Sequence, residues 1–108
     1  MGFSVKTTRT FEKQTKRLFK KYTSLKAELL EMVRTLAVNP EQGVPLGNGC
    51  YKIRIAIASK GKGKSGGARL ITHIILREET VFLLTIYDKS DRENLTNREL
   101  QELLRDLP

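Results

Sequence analysis

Residues 51–74 read YKIRIAIASKGKGKSGGARLITHI, and this stretch decides the fold. Tyr51, Ile53, Ile55 and Ile57 alternate with Lys52, Arg54, Ala56 and Ala58. Successive side chains of a strand leave opposite faces, so the isoleucines cover a core while Lys52 and Arg54 stand on the other side. A Lys/Gly run at 60–67 turns the chain. A second strand is expected over Ala68–Leu76 and a third over Thr80–Tyr87, joined by the short turn Arg77-Glu78-Glu79.

Working outward, Phe3 and Val5 alternate with Ser4 and Lys6, which suits a short first strand. Phe11, Thr15, Leu18, Phe19 and Tyr22 then fall on one helical face, with Lys13, Lys16, Arg17, Lys20 and Lys21 around them. After Thr23 and Ser24, Leu25, Leu29, Met32, Val33 and Leu36 form a second stripe that Asn39-Pro40 ends. These two helices make an antiparallel hairpin. Residues Val38 to Gly49 read as a loop. Downstream, Thr96 and Glu99 have capping-box spacing and open a last helix with Leu100, Leu103, Leu104 and Leu107 on one stripe. The stripe covers the open sheet face, or else serves as a movable lid. The fold class is α+β in the order β-α-α-β-β-β-α, an antiparallel sheet packed on the helical hairpin.

The 108 residues allow one domain, 1–108. No stretch reaches the roughly 20 apolar residues of a membrane span, and the N-terminus has no apolar segment of signal-peptide type. Cys50 is the single cysteine, which excludes an internal disulfide and points to the cytoplasm. The net charge is +8, from 20 Lys and Arg against 12 Asp and Glu. Between Gly43 and Arg77 there is no acid, but there are Lys52, Arg54, Lys60, Lys62, Lys64, Arg69 and Arg77. That one-sided charge points to an anionic partner rather than an ordinary mixed surface.

Strand parity places Leu70, Thr72 and Ile74 toward the helices, and Arg69, Ile71 and His73 on the open side. On the last strand it assigns Phe82, Leu84 and Ile86 to the core, and Leu83, Thr85, Tyr87 and Lys89 to the open side. The short hairpin turn brings Arg69 beside Tyr87 and Lys89. Lys60, Lys62, Lys64, Arg69, Tyr87 and Lys89 are therefore expected to converge, with Arg54 nearby and Asp88 and Asp91 at the edge. Cations and a phenol serve acid–base work on neutral substrates poorly. They grip a phosphate and stabilise added charge well. RNA supplies its own nucleophile, the 2′-OH, so such a site needs neither metal nor cofactor. Arg69 would neutralise the transition state. Lys89 or Tyr87 would give the leaving oxygen its proton, a neighbouring cation easing the release.

Other motifs carry less. Gly61-x-Gly63-x-x-Gly66 joins strand to strand, with no helix to hold a pyrophosphate. Gly63-Lys64-Ser65 lacks the earlier glycine of a phosphate loop, Ala58 standing there. His73 lies about 13 Å along the strand from Arg69 and reads as structural. Cys50 reads as a buried filler. One Cys and one His offer too few ligands for a zinc site. Tyr87 either packs beneath the last helix or stacks on a base.

The helical hairpin, the stretch at 51–74, the following IYDKSDRENLT and the last amphipathic helix, nearly the whole chain, together resemble the RelE/ParE toxin superfamily, and residues 63–69 resemble its RelE/HigB branch. The resemblance implies the toxin of a type II toxin–antitoxin system, an endoribonuclease that cuts mRNA in the ribosome and is blocked by a cognate antitoxin. It implies catalytic roles for Arg69, Tyr87 and Lys89 and RNA binding by Lys52, Arg54, Lys60, Lys62 and Lys64. Many RelE proteins end with a tyrosine, whereas this chain ends Arg105-Asp106-Leu107-Pro108. The alternatives are a gyrase inhibitor of ParE type and a non-catalytic RNA-binding module.

Overall fold

A computed structural model describes residues 2–61, 63 and 66–108. The elements are β1 (Ser4–Thr7), α1 (Arg9–Lys21), α2 (Leu25–Val38), β2 (Val44–Gly47), β3 (Cys50–Ile55), β4 (Ala68–Ile75), β5 (Thr80–Asp88) and α3 (Asn97–Arg105). The sheet order is β1-β5-β4-β3-β2, antiparallel except where β1 lies parallel to β5. The α+β class with a helical hairpin and a C-terminal helix is therefore as expected, with two differences in the sheet. It is mixed at the β1 edge. It also gains a strand in the segment expected to be loop, because Val44 and Pro45 pair with Lys52 and Tyr51. Pro45 lacks a backbone donor, which suits only an edge position.

The helical hairpin covers one face, burying Phe11, Leu18, Leu25, Leu29 and Leu36 against Ile53, Ile55, Ile57, Leu70, Leu83 and Ile86. On the other face, Leu100 of α3 closes over Ile71, Phe82, Leu84 and Tyr87, with Leu103, Leu104 and Leu107 alongside. Thr8 caps α1 by accepting from the Phe11 amide at 3.2 Å, and its hydroxyl donates to the Leu84 carbonyl at 3.1 Å. Thr96 and Glu99 form the expected capping box on α3.

The parity expected for the early part of β5 is wrong, and a bulge is the reason. Ile71 pairs with Thr85, but Thr72 pairs with Leu83, so Leu84 is an extra residue. Phe82 and Leu84 thus join the α3 side, and Leu83 turns to the helical hairpin. Beyond the bulge, Ile86 and Tyr87 keep their expected faces. Gly67 is needed just before β4, because a Cβ there would lie 2.0 Å from the Ile55 carbonyl oxygen. Among the described residues no helix is long and apolar enough to cross a membrane.

Candidate functional site

β3, β4 and β5 bring three of the expected site residues into line. Arg69 is the register partner of Arg54 on one side and of Tyr87 on the other. Paired residues share a face with Cβ atoms about 5 Å apart, so hairpin pairing alone assembles this row. Lys52, Arg54, Arg69 and Lys89 line a shallow cavity of about 290 Å³, with Glu93 and Asn94 at its rim. Arg54 is exposed, Lys52 and Lys89 are half-buried, and Arg69 is buried. One Arg69 nitrogen, Nη1, donates to the Ala68 carbonyl at 3.2 Å. The Lys89 amide donates to the Gly67 carbonyl at 3.0 Å, tying the end of β5 to the start of β4.

Glu93 and Asn94 were not anticipated. Lys89 Nζ lies 3.5 Å from Glu93, and Lys52 Nζ donates to Asn94 Oδ1 at 3.5 Å. The pair with the exposed Glu93 is weak enough for a phosphate to displace. The i,i+4 spacing of Lys89 and Glu93 was visible in the sequence, but the helical turn that uses it was not.

Tyr87 shares the face of Arg69 but not the open cavity. Its ring is buried with Leu100, Arg92 lies over it 5.5 Å from the centroid, and its hydroxyl has no hydrogen-bond partner among the described residues. Burial raises the phenol's pKa, and the charges of Arg69 and Arg92 only partly reverse this. The expected easing of its proton release by a nearby cation is thus outweighed. Arg92 in turn is clamped 2.5 Å from Glu99, and that hydrogen bond, with one from the Thr96 amide, holds the Glu99 carboxyl at about 2.

Lys60 does not join the cluster. Its Nζ turns to the helix side of the sheet, 2.5 Å from Asp88 Oδ1 and 2.6 Å from Ser90 Oγ. Asp88, expected at the cluster's edge, is instead buried behind it and also accepts from the Tyr22 hydroxyl. An ammonium that has a buried carboxylate within reach gains more there than in water, which explains the turn. Lys62 and Lys64 lie outside the described residues.

His73 pairs with Cys50 across β3 and β4, its Nδ1 3.5 Å from the sulfur, away from the cavity. Burial lowers the imidazole's pKa and pushes the Cys50 thiol up to about 11. A thiol so held is a poor nucleophile, and His73 is not among the residues that line the cavity. Among the described residues no group of three or more His, Cys, Asp or Glu could hold a metal ion.

Residues 5–106 match the family described as the RelE toxin of the RelE/RelB toxin–antitoxin system. Among solved structures the chain is similar to a double arginine-to-alanine mutant of the E. coli toxin RelE in the free state, with 14% identity, a TM-score of 0.63 and 100% of both chains covered. It is also similar to the isolated E. coli RelE toxin, with 16% identity, a TM-score of 0.48 and coverage of 97% of this chain and 99% of that one. The first of these supports the fold.

Proposed function

Since the chain belongs to the RelE toxin family and is the toxin of a toxin–antitoxin system, we propose that its basic sheet face cuts messenger RNA in the ribosome. One observation carries this reading: Arg54, Arg69 and Tyr87 stand side by side on three neighbouring strands, and Arg54 and Arg69 line a cavity with Lys52 and Lys89.

The chemistry follows from the substrate. Lys52 and Arg54 grip the backbone on either side of the scissile phosphate and set the 2′-oxygen in line with the leaving 5′-oxygen. The 2′-oxygen attacks phosphorus as its proton passes to solvent water, charge builds on the non-bridging oxygens, and the bond from phosphorus to the 5′-oxygen breaks. Arg69 neutralises that charge from a buried position, where water screens it little. Of the two proton donors, Lys89 lines the cavity and protonates the leaving 5′-oxygen. Tyr87, the register partner of Arg69, is buried under α3 and serves as support for that arginine instead of as a proton donor. The products are a 2′,3′-cyclic phosphate and a 5′-hydroxyl. The cognate antitoxin blocks this face or keeps it from the ribosome. The chain acts in the cytoplasm, where mRNA and ribosomes are.

Expression of the chain without its antitoxin tests the reading. Growth stops, and mapped transcripts end within reading frames; coexpression of the antitoxin restores both. Arg69→Ala is expected to keep the fold by circular dichroism and lose on the order of 100- to 1,000-fold in cleavage rate. Arrested cells with intact transcripts contradict the reading, and broken DNA in those cells points to a gyrase inhibitor instead.

A further inference from the structure

We infer that Asp88 is a positioning residue for the cutting face: from the back of the sheet it holds residues 87–89 so that Lys89 stands beside Arg69 at the front. The inference rests on the reading that this face cuts RNA.

Asp88 lies between Tyr87 and Lys89, and strand alternation sends its side chain to the opposite side. There it is 1% exposed. Both carboxylate oxygens are engaged. Oδ1 accepts from Lys60 Nζ at 2.5 Å and from the Ser90 amide at 2.9 Å. Oδ2 accepts from the Tyr22 hydroxyl and lies 3.5 Å from Lys21 Nζ. The donors come from three places: the end of α1, the 3-10 turn Ala58–Lys60 that opens the Lys/Gly loop, and the chain just past β5. One carboxylate therefore ties these segments to the last rung of the β4–β5 ladder, where Asp88 pairs with Ala68. The next rung is Arg69 with Tyr87.

Stability alone is a poor reason for this arrangement. Taking a carboxylate and an ammonium out of water costs nearly as much as their attraction returns, and well-packed aliphatic side chains often do better. A buried ion pair does set geometry, because it has a single satisfied arrangement. Here that geometry is the direction in which Lys89 leaves the sheet. The Ala58–Lys60 turn has its own anchors on α2, since the Ser59 amide donates to Ser24 Oγ at 2.9 Å and the Ala58 amide to Glu28 Oε2 at 2.8 Å. Among the described residues the end of β5 has no such anchor from α2; Gln14 of α1 holds Thr85 and Ile86, and Asp88 supplies the hold beyond them.

The test compares the full chain with Asp88→Asn, Lys60→Met and the double variant, using ribosomes programmed with mRNA. Asp88→Asn leaves the Lys60 ammonium buried without a carboxylate, so both thermal midpoint and activity fall. The expected loss is in kcat, on the order of 10- to 100-fold, with KM moving less than about threefold. The double variant removes the stranded ammonium, so its midpoint recovers while kcat stays low. A merely structural Asp88 gives the opposite: kcat returns with the midpoint. That result, or wild-type kcat in Asp88→Asn, overturns the inference.

A second readout needs no RNA. Hydrogen exchange at the Lys89 amide, which is bonded to Gly67, should speed up at least about tenfold in the double variant. If the wild-type chain cuts no RNA, the cutting reading fails by itself. The hold on residues 87–89 is then decided by this amide, and unchanged exchange overturns it.

Discussion

Arg69 is a guanidinium held at a buried position, 4% exposed, beside a phenol and against its own neighbour's carbonyl. A cation so placed interacts with an incoming phosphate more strongly than a surface lysine does, because less water screens it. Behind the sheet Asp88 shows the opposite balance. Burial opposes its charge, but hydrogen bonds from Lys60, Tyr22 and the Ser90 amide prevail and hold its carboxyl well below its ordinary value of 3.8. A depressed carboxylate stabilises the fold at pH values above the unfolded value, and that stability disappears as pH falls through the folded one. Stability should therefore decline below about pH 4, and this acid limb should be shallower in Asp88→Asn. At neutral pH the same substitution is expected to cost about 3 kcal/mol, because it strands the Lys60 ammonium. Urea unfolding at a series of pH values measures both.

Among the elements, β5 carries the most information. Its bulge at Leu84 shifts the inward face by one residue, and Gln14 of α1 bonds the strand just beyond it. Gln14 Oε1 accepts from the Ile86 amide at 3.1 Å and from the Thr85 hydroxyl. Gln14→Ala is expected to cost about 1–2 kcal/mol, seen as a lower urea midpoint at unchanged m. The bulge also marks where the sequence stopped being readable. The Ile/Lys alternation of β3 has only one fitting parity, and on β4 the polar Arg69 and His73 mark one face. On β5, eight of the nine residues are not charged and all nine are buried, so period-2 patterning cannot reveal an inserted residue. The parity assigned beyond the bulge nevertheless holds, which is why Arg69 and Tyr87 meet as expected. β2 was missed for a related reason. Val44-Pro45-Leu46-Gly47 is too short and too rich in turn formers to read as a strand, and only its pairing with Tyr51 and Lys52 makes it one.

At the scale of the whole molecule, the +8 charge and the acid-free segment led to the expectation of an anionic partner, and hairpin pairing gathered Lys52, Arg54, Arg69 and Lys89 at one cavity. Loop and side-chain direction were not legible. Nothing in the spacing of Lys60 tells that it turns back to a buried carboxylate, or that Glu93 reaches the rim. For a face that binds backbone phosphates, log K falls with log salt by about 0.7 per phosphate neutralised on a single strand. Replacing both Lys52 and Arg54 by Gln should thus lower the slope by about 1.4, measured with an uncleavable 2′-deoxy strand. An unchanged slope would remove these two side chains from the interface.

The proposed nucleophile at this face is the substrate's own 2′-OH. The most direct measurement places a single 2′-deoxynucleotide at the mapped cleavage position of an mRNA held in the ribosome. The expected result is that the all-ribose strand is cut to a 2′,3′-cyclic phosphate end while the substituted strand survives at that position with binding unchanged. Cutting of the substituted linkage at a comparable rate would mean that the 2′-OH is not the nucleophile.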